Sequence, residues 1–232
     1  MTSAVLFKGD NSLDFAEVRE QILRVPEVLG RIHEAQAIWD EAGLDPVNFY
    51  ATMTCDDEGF FASSCLKSLC LAIVQVGLYD RYLRKNQQPE FVVGNIRNDS
   101  PALVAAGIKS FRQLILGSRV AGVEEEEMEA PQEQHGLPTL RGQSLPIFKV
   151  YRKLEDGYAE EKIESMHMPK VIVRLAEEQG LKRLVSIGPG SADIQPEERV
   201  GLLEEVQFFE SIDMDPLLAW FWQNVNSAKA TA

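Results

Sequence analysis

Residues able to act as a nucleophile or a base are few around the turn that follows residues 91–93. In FVVGNIRNDSPALVAAG (residues 91–107), Ser100 could serve as a nucleophile and Asp99 as a base. A strand, a tight turn and a helix in this order present a nucleophilic serine in many α/β enzymes. The apex of this turn, residues 95–99, holds neither serine nor cysteine, and the Asp-Ser-Pro context predicts that Ser100 caps the helix.

The three histidines lack a companion nucleophile at a suitable spacing. His33 and His167 fall on helical or loop segments, and a structural role is the simpler interpretation. His135 lies in the acidic stretch EEEEMEAPQEQHGLP, which is typical of a solvated loop. Histidine-based catalysis is therefore not predicted from spacing alone.

Neither metal nor phosphate chemistry is indicated by the remaining motifs. Ser191 follows Gly188-Pro189-Gly190, and a single GPG after a strand indicates a turn more than a phosphate loop. The three cysteines match no metal-binding or disulfide pattern: Cys55, Cys65 and Cys70. We predict no metal ion and no cofactor.

Composition limits the class of partner. With 45% hydrophobic and 25% charged residues, the 232-residue chain is typical of a globular protein with a sizeable core. The net charge of −13 repels polyanions, so nucleic acid is not expected as a partner. No apolar run is long enough for a membrane span and no leader is evident, so we expect a cytoplasmic protein with no membrane partner.

Apolar spacing predicts alternating strands and helices. Strands are expected at 4–7, 91–93, 146–151 and 183–187. Helices are expected within 15–42 with a break at Pro26, at 61–83, 101–107, 111–120 and 170–179, and over the segment from Leu202 to Phe221. This order predicts an α/β layered domain around a mainly parallel sheet.

Four stretches in order resemble the malonyl-CoA:acyl carrier protein transacylase family. LFKGDNS is similar to the family's FPGQGSQ loop, and SLCLAIVQVGLYDRYL to the helix before the nucleophile strand. VVGNIRNDSPALVAAGIKSF lines up with GHSLGEYSALVAAGALSF, and MPKVIVRLAEEQGLKRLVSIGPGS with the helix, strand and GPG loop near the family's carboxyl end. The resemblance implies an α/β-hydrolase-like domain in which a small ferredoxin-like domain is inserted.

In that family a serine attacks the thioester, a histidine from elsewhere in the chain activates the serine, and an arginine binds the malonyl carboxylate. Ile96 stands at the serine and Asn95 at the histidine that precedes it. Arg97 and Asn98 replace the leucine and the second glycine of the turn. Isoleucine offers no nucleophile, so the resemblance implies that no acyl-enzyme forms at this position.

Two further family positions carry altered residues. Asp10 replaces a glutamine that helps to line the oxyanion hole, and a carboxylate has the wrong sign to stabilise an oxyanion. Ala121 stands where the carboxylate-binding arginine is expected, with Arg119 nearby as a partial substitute. Against longer family members, residues 124–138 form an acidic loop in place of the inserted domain, which leaves one domain over residues 1–232.

The sequence therefore favours a catalytically inactive acyltransferase-like protein with a binding or scaffolding role in fatty-acid or polyketide synthesis. Its expected partners are an acyl carrier protein or a synthase subunit, with at most weak binding of CoA or acyl-CoA. The remnant cleft would be lined by Asp10, Asn95, Ile96, Arg97, Arg119, Gly188 and Gly190. The alternative is an acyl-thioester transferase or hydrolase whose rebuilt site uses Asp10, Asp99 or His135 around water.

Overall fold

Within the described part of the chain, six strands form one central sheet. The computed structural model describes residues 2–7, 25–55, 64–95, 100–124, 148–161, 168–187 and 205–209. The strands are β1 (Ser3–Phe7), β2 (Phe91–Asn95), β3 (Phe148–Leu154), β4 (Gly157–Glu161), β5 (Arg183–Ile187) and β6 (Glu205–Phe209). Their order across the sheet is β4-β3-β2-β1-β5-β6.

Four neighbouring strands of this sheet run parallel. β1 pairs with β2 on one side and with β5 on the other, and β5 pairs with β6. β3 and β4 complete the sheet as an antiparallel hairpin next to β2. The expected α/β architecture with a mostly parallel sheet is confirmed.

Helices cover both faces of the sheet. They are α1 (Pro26–Glu41), α2 (Phe49–Thr54), α3 (Ser64–Leu83), α4 (Ser100–Ala105), α5 (Phe111–Glu124) and α6 (Met168–Gln179). Val5 and Phe7 of β1 join the core formed with α1 to α5, whereas Ala4 and Leu6 join the core formed with α6. Successive side chains of a strand point to opposite faces, so β1 is buried on both.

The predicted long apolar helix is α3, and its central residues 69–79 are all buried. Helix α3 crosses α1 at Gly77, a residue without a side chain. A Cβ added to Gly77 would lie 2.6 Å from the Cα of Val28 on α1. A side chain at position 77 would therefore hold the two helices apart.

Local sequence signals fix both ends of the loop between α4 and α5. Gly107 has a φ of 68°, and its N–H donates to the carbonyl of Val104 while Ile108 N–H donates to Leu103. These two bonds form the Schellman motif that glycine permits after a helix. Ser110 and Gln113 then exchange backbone-to-side-chain hydrogen bonds of 2.8 and 3.1 Å, a capping box at the start of α5.

The structure corrects the sequence expectation at the carboxyl end of the chain. The helix expected from Leu202 to Phe221 is wrong over Glu205–Phe209, which form β6. Apolar residues at helical spacing suggested a helix, but β5 offers a strand edge to which this segment pairs in parallel. Tertiary pairing overrides local spacing here.

Other differences concern boundaries and short elements. The sequence predicted Ser100 as the cap that precedes α4, but Ser100 is the first residue of that helix. Strand β2 continues to Asn95 because β3 pairs with it there. Neither β4 nor α2 was predicted: β4 is a polar edge strand held by β3, and α2 is six residues long and is capped by Asn48.

The expected loss of the inserted domain concerns residues 124–138, of which only Glu124, the last residue of α5, is among those that the structure describes. It stays a prediction. No helix in the described ranges has the length and hydrophobicity to cross a membrane.

Candidate functional site

Three neighbouring parallel strands end at one edge of the sheet, called here the carboxyl edge. Leu6 of β1 pairs with Val93 of β2 and with Ser186 of β5, and Phe7 pairs with Ile187. The strand ends are therefore level. From this edge the chain continues towards Asp10 after β1, Ile96 after β2 and Gly188 after β5.

The order of the described strands predicts a crevice at this edge. After β1 the chain next enters the sheet at β2, on one side of β1, whereas after β5 it next enters at β6, on the other side. Such a reversal in a parallel sheet separates the loops that follow the two strands and opens a ligand crevice outside their carboxyl ends. The switch lies between β1 and β5, with β2 beside it.

Most of the predicted site residues lie outside the part of the chain that the structure describes. These are Asp10, Ile96, Arg97, Asn98, Asp99, His135, His167, Gly188, Gly190 and Ser191. Asn95 is described through its backbone as the last residue of β2, paired with Phe148 of β3. The predicted cleft residues lie in four segments of the chain, and strand topology brings the strands that precede three of these segments to one edge. The remaining geometry of the cleft stays a prediction.

The fourth segment lies on α5, which carries Arg119 and Ala121. Residues two apart do not share a face of a helix, so positions 119 and 121 lie on different sides of α5. Whether Arg119 substitutes for an arginine at position 121 stays a prediction.

The two described candidates outside these segments fit structural roles. Ser100 is half-buried at the start of α4, and His33 is exposed on α1.

The described core beneath the carboxyl edge is apolar and aromatic. The ring of Phe7 contacts Tyr79 edge-on at 5.7 Å between centroids, and Tyr79 stacks on Tyr82 at 6.0 Å. The Tyr79 hydroxyl is buried without a hydrogen-bond partner among the described residues, and burial raises its pKa well above the usual range. This phenol remains neutral and cannot serve as a base near neutral pH.

Cys70 lies in the same core and does not supply a nucleophile. Burial raises the pKa of its thiol to about 12, so the thiolate is not populated near neutral pH. The described ranges also contain no group of three or more His, Cys, Asp or Glu side chains placed to hold a metal ion.

At the level of sequence, neither a family model nor a curated protein matches the chain. Structure comparison gives a different result. The acyl-carrier-protein S-malonyltransferase of Burkholderia pseudomallei superposes over 94% of this chain and 100% of its own, with a TM-score of 0.65 and 13% identity. The corresponding enzyme of Vibrio cholerae matches over 94% of this chain and 100% of its own, with a TM-score of 0.59 and 15% identity.

A third similar structure is a malonyl-transacylase in complex with a type II polyketide acyl-carrier protein. It matches over 92% of this chain and 97% of its own, with a TM-score of 0.62 and 14% identity. At such low identities the likeness concerns backbone architecture and not the reaction. The chain has the fold of the malonyl-CoA:acyl carrier protein transacylases.

Proposed function

We propose that this chain is a catalytically inactive protein of acyltransferase fold that acts as a binding or scaffolding partner. The observation that carries the proposal is the residue at the end of β2. Asn95 is the last residue of that strand, beside β1 at the carboxyl edge, and the next residue in the chain is Ile96. Isoleucine has no lone pair with which to attack a thioester.

Two other residues support the same proposal by their chemistry. A carboxylate at Asp10 would oppose the negative charge that develops on the thioester oxygen during acyl transfer. Ala121 lacks the guanidinium that could hold a malonyl carboxylate through two parallel hydrogen bonds. Restoring one group alone would therefore leave the others missing.

An acyl carrier protein is the partner that we propose, because one protein of the same fold is known in a complex with such a carrier. A synthase subunit of fatty-acid or polyketide assembly is the other candidate. Binding of CoA or acyl-CoA is expected to be weak, since an acidic chain attracts phosphates poorly. Neither nucleic acid nor a membrane is proposed as a partner.

Intact-mass measurement after incubation with malonyl-CoA tests the inactivity. We expect an unchanged protein mass and release of CoA at the rate of the blank, and the same result with acetyl-CoA and longer acyl-CoA esters. A covalent malonyl adduct would contradict the proposal. Turnover without an adduct would instead support the alternative, a hydrolase with a rebuilt site, and would be tested further with Asp10→Asn, Asp99→Asn and His135→Gln.

Two variants at the end of β2 show whether the scaffold could still present a nucleophile. Ile96→Ser introduces a hydroxyl and Ile96→Ala serves as its matched control. We expect neither variant to form an adduct at neutral pH, because a serine without an activating base is a poor nucleophile. An adduct on Ile96→Ser alone would show that the base and the oxyanion donors have been retained.

A further inference from the structure

The edge of the sheet opposite the crevice is rich in basic side chains. At this amino edge the parallel strands β1, β2 and β5 begin and the antiparallel strand β3 ends. Six basic residues occupy it, on an acidic chain of net charge −13: Arg84, Lys85, Arg152, Lys153, Lys182 and Arg183. We call these six residues the cationic edge.

Backbone hydrogen bonds join the segments that carry these residues. Lys153 N–H donates to the carbonyl of Glu90 at 2.8 Å, and Glu90 N–H donates to Ser3 at 3.1 Å. The N–H groups of Lys182 and Arg183 donate to the carbonyl of Thr2 at 3.0 and 3.2 Å. The ends of β3 and β5 are thus tied to the first residues of β1.

A side-chain contact adds the end of α3 to the same surface. Both terminal nitrogens of the Arg183 guanidinium donate to Asn86 Oδ1 at 3.2 Å. Asn86 comes directly after Arg84 and Lys85, so these two cations lie beside the start of β5. The cationic edge is therefore one rigid surface built from three segments.

Most of this charge faces solvent. Lys85, Arg152, Lys153 and Lys182 are exposed, and Arg84 is exposed although it pairs with Glu27 at 2.7 Å. Within the described ranges no carboxylate forms an ion pair with the following residues: Lys85, Arg152 and Lys153. Their charge is available to an external anion.

Carboxylates limit the extent of the cationic edge on two sides. Glu155 and Asp156 follow β3 directly, and Glu177 and Glu178 lie in the last turn of α6, the helix before β5. A long nucleic acid or a flat anionic membrane would have to meet these carboxylates as well as the cations. Glu90, just before β2, also lies at this edge, and its carboxylate accepts hydrogen bonds from Ser3. A small acidic patch on a folded protein, or a short acidic segment, would meet fewer of these carboxylates than an extended polyanion would.

We propose that the cationic edge binds an acidic surface of a partner protein. The site lies at the edge of the sheet opposite the carboxyl edge, so a partner bound there would not cover the ends of β1, β2 and β5. The proposal does not depend on the crevice being inactive. It gives the chain a docking surface whose affinity falls as the salt concentration rises.

A charge-matched pair of variants tests this proposal with a labelled oligoglutamate peptide as the probe. The test variant is Lys85→Gln/Arg152→Gln/Lys153→Gln, and the control is Lys67→Gln/Lys109→Gln/Arg112→Gln. Each removes two lysines and one arginine, so the change in net charge is the same. Fluorescence anisotropy at low and physiological ionic strength gives the dissociation constant, and circular dichroism verifies that each variant is folded.

We expect the test variant to raise the dissociation constant of the peptide about tenfold at low salt, because the loss of each exposed charge pair raises that constant by up to a few-fold. The control should change binding by less than about twofold. Equal losses in both variants, or no binding by the unmodified protein, would overturn the proposal. Tighter binding of a DNA duplex or of anionic vesicles, lost in the test variant, would also overturn it. Lys85→Gln/Lys153→Gln serves as a second variant if Arg152→Gln perturbs β3.

Discussion

Ile96 and Asn95 show how much single residues reveal about this molecule. The chemistry of isoleucine is fixed by its type, so the sequence is sufficient to state that position 96 offers no nucleophile. The importance of a missing nucleophile at position 96 depends on where that position lies in the fold. The structure gives the place of the preceding residue, Asn95. Asn95 ends β2 beside β1, at the carboxyl edge where α/β folds bind ligands.

Gly77 is a residue whose role only the structure reveals. It lies within the apolar helix α3, where glycine is otherwise unfavourable, and no turn requires it. Its absent side chain allows α1 to approach, since a Cβ would lie 2.6 Å from Val28 Cα and 2.9 Å from its Cγ2. The close approach of two helices explains why glycine occupies this position.

Gly77→Ala is expected to reduce the free energy of unfolding by about 1–3 kcal/mol, because the added methyl group must push α1 away from α3. Gly30→Ala is the matched control: Gly30 is exposed on α1, with no atom within 4 Å of an added Cβ. That control should stabilise the protein by up to about 1 kcal/mol through helix propensity. Urea unfolding measures both, and similar effects of the two substitutions would contradict the packing explanation.

At the scale of elements, ionic contacts connect α1 to α3. Arg31 donates to both oxygens of Asp80, at 2.6 and 3.1 Å, and its guanidinium lies 4.7 Å from the centre of the Phe111 ring on α5. Nearby, Glu27 lies 2.7 Å from Arg84 and 3.5 Å from Arg81. One turn of α1 is therefore tied to two other helices by charge as well as by apolar packing.

Glu27→Gln is expected to cost about 2–4 kcal/mol, because the Glu27 side chain is only 6% exposed and its loss leaves Arg81 buried without its counter-charge. Glu41→Gln provides the comparison, since Glu41 lies on the same helix as Glu27 and forms a well-exposed pair with Arg112 of α5. Its expected effect is below about 1 kcal/mol. Thermal and urea unfolding of both variants give the values. A loss for Glu41→Gln as large as that for Glu27→Gln would show that burial does not govern these ion pairs.

A second contact between elements gives the fold an acid-sensitive component. Glu90, just before β2, accepts hydrogen bonds from Ser3 N–H at 2.7 Å and from Ser3 Oγ at 2.8 Å. Partial burial raises the pKa of Glu90, but the two bonds from Ser3 outweigh that effect and the net pKa is lowered from its ordinary value of 4.5. The ionised carboxylate is thus favoured in the folded state.

Because the folded-state pKa of Glu90 is depressed, its stabilising effect is present above the ordinary pKa and is lost as the pH falls through the folded-state value. Ser3→Ala should therefore reduce stability near pH 7, and this effect should diminish progressively as the pH falls below 4.5. Ser110→Ala is the control, since Ser110 Oγ accepts from Gln113 N–H without involving a carboxylate. Unfolding followed at several pH values tests this, and a Ser3→Ala effect that did not vary with pH would be inconsistent with it.

At the scale of the whole molecule, the strand order determines where function is expected. The order of the parallel block β2-β1-β5-β6 predicts a ligand crevice at its carboxyl edge, and the cationic side chains lie at the opposite edge. The fold is that of a transacylase, although neither a family model nor a curated protein matches the sequence. Backbone architecture can persist after most side chains have changed, because apolar patterning and strand order specify it with many different residues.

Replacement of residues 126–137 by a glycine-serine linker of equal length tests the expected single-domain organisation. If this acidic segment stands in place of an inserted domain, it contributes little to the core, and the melting temperature should change by less than about 2 °C. The far-ultraviolet circular dichroism spectrum should keep its α/β character. Loss of cooperative unfolding would show that the segment is an integral part of the folded domain, contrary to the expectation.

The sequence by itself determined the elements that have strong local signals. Periodic apolar residues located β1, β5, α3 and α6, and Gly107 and Gly180 marked helix ends, since both adopt a positive φ. The resemblance in motif order also led to the correct fold. These features depend on neighbouring residues in the chain, so they can be read without a structure.

Only the tertiary structure decided which segments pair at the edges of the sheet and which side chains meet. β6 and β4 are strands because β5 and β3 offer them backbone partners, although neither segment has a strong strand pattern of its own. The cationic edge joins residues as distant in sequence as Lys85 and Lys182. Contacts of this kind depend on the path of the chain in space, and local residue patterns do not encode that path directly.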